Sequence, residues 1–171
     1  MELYSGHTFN SKELTRVEPK VKTAIQSAIS MVWNKHVGEP ISFNVVYASR
    51  ITDPKTGQPI NWSSEYDPDS DSFKFALDTI PERLRIGLEL PETSFIIAAH
   101  EATHKVQFHR GDKPNPSPKN ITSESQDYFD DRHEAEAWRE ALDAFKKAFP
   151  GASGGVTIEG RRYEIPRKSS Y

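Results

Sequence analysis

The sequence predicts an α+β fold: an N-terminal helix, a small and mostly antiparallel sheet, two further helices and a C-terminal hairpin. Three observations predict it. Apolar residues recur at helical spacing in three separate segments, other segments alternate apolar and polar with period two, and proline and glycine clusters punctuate them. The chain has 171 residues, 35% of them hydrophobic and 11% aromatic. That is a globular mix, and a chain of this length buries roughly 70% of its unfolded surface around one core. The expected organisation is a single domain over residues 1–150, with residues 151–171 as a tail or hairpin packed on it.

The first element is a helix over 18–36. Pro19 suits its first turn, where a missing N–H costs nothing. Val17, Val21, Ala24, Ile25, Ala28 and Val32 form its apolar stripe, and Gly38 and Pro40 end it. Residues 41–48 alternate through Ile41, Phe43, Val45 and Tyr47 and read as a strand. Residues 50–72 read as a loop, with Asp53-Pro54, Thr56-Gly57 and an acidic run. Residues 72–78 alternate again through Phe73, Phe75 and Leu77. Leu84, Ile86, Leu88 and Leu90 make a third alternation, weakened by Gly87. A second helix is expected over 93–109, with Thr93 or Ser94 as its cap and Gly111 just past its end. The Arg-Gly-Asp of 110–112 then reads as helix end plus turn. Pro114, Pro116 and Pro118 force an irregular loop. A long third helix is expected over 123–149, opened by a Ser123–Gln126 capping box and stopped by Pro150-Gly151. Residues 156–158 and 162–165 flank Glu159-Gly160 as a hairpin.

Composition excludes several function classes. The net charge is −3, so there is no overall basic field to hold nucleic acid. No stretch approaches the ~18 apolar residues of a membrane span. The first residues lack the basic and apolar regions of a signal peptide, so the expected location is cytoplasmic, with export by a signal-independent route as the alternative. The absence of cysteine removes disulfides, thiolate zinc sites and a cysteine nucleophile.

One motif carries chemistry. His100-Glu101-Ala102-Thr103-His104 is an H-E-x-x-H sequence. Residues i and i+4 on a helix share a face, so the two imidazoles can grip one Zn²⁺. Glu101 beside them is placed to take a proton from metal-activated water and pass it to a leaving amine. The preceding Phe95-Ile96-Ile97-Ala98-Ala99 predicts that this helix is buried, where unpaired polar side chains are costly. Position 110 is arginine rather than histidine and Gln107 stands where the related metzincin pattern has glycine, so a third ligand must come from elsewhere.

The long helix offers His133-Glu134-Ala135-Glu136-Ala137-Trp138. Glu134 shares a face with Trp138, Ala141, Leu142 and Phe145, an apolar stripe bound for the core. Glu136 shares a face with Glu140, Asp143 and Lys147, bound for solvent. A carboxylate on the core stripe needs a positive partner, and Zn²⁺ provides one. Glu134 is therefore the expected third ligand and His133 a weaker candidate. The bland alternative is a buried salt bridge from Glu134 to Arg83 or Arg85.

At this point residues 72–149 resemble the gluzincin metallopeptidases, in which H-E-x-x-H lies on one helix and a glutamate on a second completes the site. Length and spacing are most similar to the minigluzincins and the ImmA/IrrE-like single-domain group. The resemblance implies a zincin-like fold and one Zn²⁺ per chain. It implies an endopeptidase acting on a peptide or protein substrate, with His100, His104 and Glu134 as ligands and Glu101 as general base. The chain departs from the family four residues after the glutamate. Many relatives have Asp or Asn there, which orients a ligand histidine. This chain has Trp138, and Asp130 or Asp131 is the expected substitute. An inactive zincin-fold binding or scaffold domain is the rival reading.

Three further expectations follow. Residues 72–78 are the candidate edge strand for extended substrate, an ordinary core strand being the plain alternative. The oxyanion donor is one of His109, His133, Tyr128, Tyr163, Arg161 and Arg162. Residues 156–171 either add strands or lie in the cleft. Asp67, Asp69 and Asp71 resemble the start of a calcium loop, but the glycine and final glutamate are missing, so an acidic turn is expected.

Overall fold

The computed structural model describes Leu14 and residues 16–49, 51–52, 56–60, 64–79, 89–112, 131–151, 154–158 and 161–165. Helix α1 spans Pro19–His36, with Pro19 opening it as expected. Val21, Ile25, Ala28, Ile29, Val32 and Trp33 form its buried face. Gly38 follows it at φ 75°, the left-handed conformation that glycine takes most cheaply at a helix end.

Five short strands follow: β1 Asn44–Ala48, β2 Ile51–Thr52, β3 Pro59–Ile60, β4 Ser64–Asp67 and β5 Ser72–Ala76. The region expected as one loop over 50–72 therefore contains three of them. They are too short to show an alternation, and Pro59 and Thr56-Gly57 mask the pattern. β1, β5 and β4 form a three-stranded sheet in that order. The sheet is mixed: β1 runs parallel to β5, and β4 antiparallel to it. β2 and β3 form a separate antiparallel pair. β5 is the central strand, so the expectation that it offers a free edge fails. All five of its residues are buried, and both its sides are already paired. The acidic turn expected at 67–71 is the β4–β5 connection. Asp67 Oδ1 accepts from the Asp69 backbone N–H at 3.0 Å, and Asp67 Oδ2 from Ser70 Oγ at 2.8 Å.

Helix α2 spans Leu90–His109. It starts earlier than expected, at an N-cap of Glu89 with Pro91 in the first turn. Thr93 and Ser94 are buried inside it rather than capping it, and Thr93 Oγ1 donates back to Leu90 O at 3.1 Å. The third alternation loses Leu90 to this helix, and the remainder, 84–88, lies outside the described residues. Gly111 closes the helix at φ 79°, so the Arg-Gly-Asp is helix end and turn. α2 packs on α1, on β4 and on helix α3, which spans Arg132–Ala148. Every residue from Thr93 to Gln107 is buried, which is why its hydrophobicity is not confined to one stripe.

α3 is capped by Asp131, whose side chain accepts from His133 N and Glu134 N. The expected Ser123–Gln126 start lies outside the described residues. The predicted core stripe holds: Trp138, Ala141, Leu142 and Phe145 are buried. Strands β6 Gly154–Ile158 and β7 Arg161–Ile165 form the predicted hairpin, Ile158 pairing with Arg161, and the β7 backbone lies beside α3. The whole is a mixed α+β structure with three helices among the described residues. None of the described helices is long and apolar enough to cross a membrane.

One buried charge fastens α2 to the sheet. Lys105 pairs with Asp71 and donates to Ser42 O at 3.3 Å, with its ammonium 5.2 Å from the Trp33 ring centre. Asp71 also accepts from Tyr66 Oη at 2.8 Å. A lysine on a buried helix is tolerable only with such partners.

Candidate metal centre

α2 and α3 bring His100, His104 and Glu134 into one cluster. One ligand atom from each lies within 4.8 Å of the others. The Nε2 atoms of His100 and His104 are 3.1 Å apart. Glu134 straddles them, with Oε2 3.1 Å from His100 Nε2 and Oε1 3.2 Å from His104 Nε2. Four-coordinate zinc with bonds of about 2.0–2.1 Å separates its ligand atoms by about 3.3 Å, a spacing that the two Nε2 atoms match, while Glu134 meets each of them with a different oxygen. Two imidazole nitrogens and one carboxylate are also a donor set that leaves a fourth position open.

The cluster is buried: His100 and His104 are 4% and 5% exposed. Burial alone would raise the Glu134 carboxyl, but the two imidazoles, His104 foremost, hold it well below the usual carboxylate range. Burial alone would lower His104, but the Glu134 carboxylate, with help from Glu101 and Gln107, raises it to about 10. The cluster is a largely buried ion pair, and a cation entering it would displace a proton.

The two histidines are held differently. Gln107 is fully buried, and its Nε2 donates to His133 O at 3.0 Å and to Glu136 Oε1 at 3.2 Å. That fixes the amide, so Oε1 faces His104 Nδ1 at 2.8 Å and must accept its proton. His104 then aims Nε2 at the cluster. Sequence reasoning missed Gln107, although its place three residues after His104, one turn further on the same face, was a usable signal. His100 has no such support. Its Nδ1 is buried without a hydrogen-bond partner among the described residues. Trp138, four residues after Glu134, lays its ring 3.9 Å from the His100 ring, centre to centre. The Trp138 Nε1 is likewise buried and unpartnered among the described residues. Asp131 does not substitute, because its carboxylate is occupied in capping α3. Asp130 lies outside the described residues.

Glu101 is buried beside the cluster and accepts from Ser64 Oγ at 2.7 Å. Ser64 opens β4, the sheet strand next to α2. β4 pairs with β5 on one side and with no other strand among the described residues on the other. Sequence reasoning had no signal for Ser64, since its segment read as loop.

The remaining candidates fall elsewhere. His133 is not in the cluster: its Nε2 lies 3.1 Å from Asp112 Oδ1, and its hydrogen bond, with those of Arg132, holds the Asp112 carboxyl below its usual value. His109 packs edge-on against Trp33 at 5.0 Å. Glu136 lies off the core stripe as expected, yet it pairs with Arg110 and Gln107 rather than standing free. Tyr128, Arg83 and Arg85 lie outside the described residues, as do the side chains of Arg161, Arg162 and Tyr163. The chain matches no protein-family model, no curated protein and no solved structure.

Proposed function

We propose that this chain is a zincin-like, gluzincin-type zinc metallopeptidase, an endopeptidase that hydrolyses peptide bonds in a peptide or protein substrate. The observation that supports it is the convergence of one ligand atom each from His100, His104 and Glu134 within 4.8 Å of one another, with Glu101 adjoining. Bound there, one Zn²⁺ would polarise the scissile carbonyl and make water nucleophilic at neutral pH. His100 and His104 would hold the ion through Nε2, and Glu134 would balance its charge. Glu101 accepts the water's proton and delivers it to the leaving amine. Ser64 Oγ holds one carboxylate oxygen of Glu101 and leaves the other for that exchange. β4 replaces β5 as the strand offered to substrate: it packs beside α2 and pairs with no strand but β5 among the described residues, so an extended peptide can add there by main-chain hydrogen bonds.

The test combines metal content with hydrolysis. Wild-type protein should carry about one zinc per chain, and Glu134→Ala should lose most of it. Glu101→Gln should keep the zinc and lose cleavage of a quenched-fluorescence peptide library. Protein that takes up no zinc after reconstitution would remove the proposal. Zinc uptake with no cleavage of any peptide would favour the rival, a zinc-holding binding domain. The His100 Nδ1, without a hydrogen-bond partner among the described residues, is the observation on that rival's side.

A further inference from the structure

His104 and His100 face the same cluster with different supports. The amide of Gln107 pins His104 through Nδ1, and a hydrogen bond of that kind fixes both tautomer and ring angle. His100 Nδ1 meets no acceptor among the described residues. An imidazole without such an anchor turns about its χ2 torsion, which is broad, and swings Nε2 off the cluster. Among the described residues, Glu134 meets the ring at Nε2 and Trp138 packs against its face. The indole is 1% exposed, lies 3.9 Å from the His100 ring at a 44° tilt, and projects from α3 one turn beyond Glu134. Ala137 and Ala141, both fully buried, flank it on that helix and Phe145 continues the packed stripe. The indole is thus locked by the core, and a locked plane against one flank of His100 restricts that ring's rotation.

We propose that Trp138 is the positioning residue for His100, holding Nε2 on the metal cluster by ring packing where Gln107 holds His104 by a hydrogen bond. The inference rests on the metal-site reading above and goes beyond it, because it assigns a metal-tuning role to an aromatic side chain with no atom among the ligands. It also makes Trp138 an internal reporter. The indole touches a ligand ring, so its emission responds when an ion enters.

Two readouts test it. Zinc affinity is measured by chelator competition for the wild type, Trp138→Phe and Trp138→Met. Phenylalanine keeps an aromatic plane and should bind within about threefold of the wild type. Methionine fills core space flexibly without a plane, and should bind at least about tenfold more weakly, the range seen when support around a ligand is removed. The second readout is the tryptophan emission change on adding Co²⁺ to metal-free protein. It should shrink markedly in Trp138→Phe, which retains Trp33 and Trp62. Wild-type affinity in a folded Trp138→Met would overturn the inference while leaving the metal site standing. An identical emission change in the wild type and Trp138→Phe would overturn it also, and this second arm decides if the methionine variant does not fold. A wild type that binds neither metal removes the site itself, and the inference with it.

Discussion

Replacing Gln107 by leucine separates the metal cluster's support from its ligands. The side chain is fully buried and close to leucine in size, so the substitution leaves little cavity. Its cost lies in hydrogen bonds. His104 Nδ1, 2.8 Å from Oε1 in the wild type, is left buried without an acceptor, at about 1–3 kcal/mol. The His133 carbonyl loses the Nε2 donor at 3.0 Å, but it sits in the first turn of α3 and keeps its helical partner, so that loss is about 0.5–1.5 kcal/mol. Glu136 keeps Arg110 and adds little. The metal-free protein should therefore lose about 2–4 kcal/mol, read from urea denaturation. Zinc affinity should fall about 10–100-fold, because His104 is free to change tautomer and angle. Gln107→Glu is the contrast: it retains an acceptor for Nδ1 while losing the donor to His133, so zinc binding should survive better than stability. A folded Gln107→Leu protein with wild-type zinc affinity would refute the support role assigned to this amide.

Three other outcomes are expected. Ser64→Ala removes the hydroxyl on Glu101, a hydrogen bond to a charged group, and should lower kcat roughly tenfold with KM and zinc content little changed; Ser64→Thr should restore most of it, and an unaltered kcat in the alanine variant would show that the contact is idle. His104 carries a folded-state value of about 10 against an ordinary 6.5, so its contribution to metal-free stability is fully present below about pH 6.5 and is lost as pH rises toward 10. Zinc must displace that proton, so calorimetry near neutral pH in buffers of different ionisation enthalpy should register about one proton released per zinc, with affinity rising with pH; binding heats independent of buffer would contradict it.

The local signals in this chain are strong where one helix supplies both spacing and burial. H-E-x-x-H at 100–104 places two imidazoles on one face by helical geometry alone. The apolar run from Phe95 to Ala99 makes that helix an interior one, and α2 is buried from Thr93 to Gln107. The period of α3 likewise separates Glu134, on the Trp138–Leu142–Phe145 stripe, from Glu136 before any contact is known. The Asp131 cap is equally local, although the Ser123–Gln126 pattern points to an earlier start. The hairpin at Ile158 and Arg161 follows from the two residues between them.

What tertiary structure decided is everything that depends on which segments meet. β5 alternates cleanly, and nothing in its residues says that β1 and β4 will cover both of its sides and stand as the outer strands among the described residues. Ser64 reaches Glu101 across 37 positions of sequence, and Gln107 reaches the start of α3 across 26. Lys105, one residue from a cluster histidine, turns instead to Asp71 and the Trp33 face because α1 and the β4–β5 turn lie on that side. Periodicity assigns a residue to a face, which is a property of its own element. A hydrogen-bond partner is a property of two elements, and only their packing chooses it.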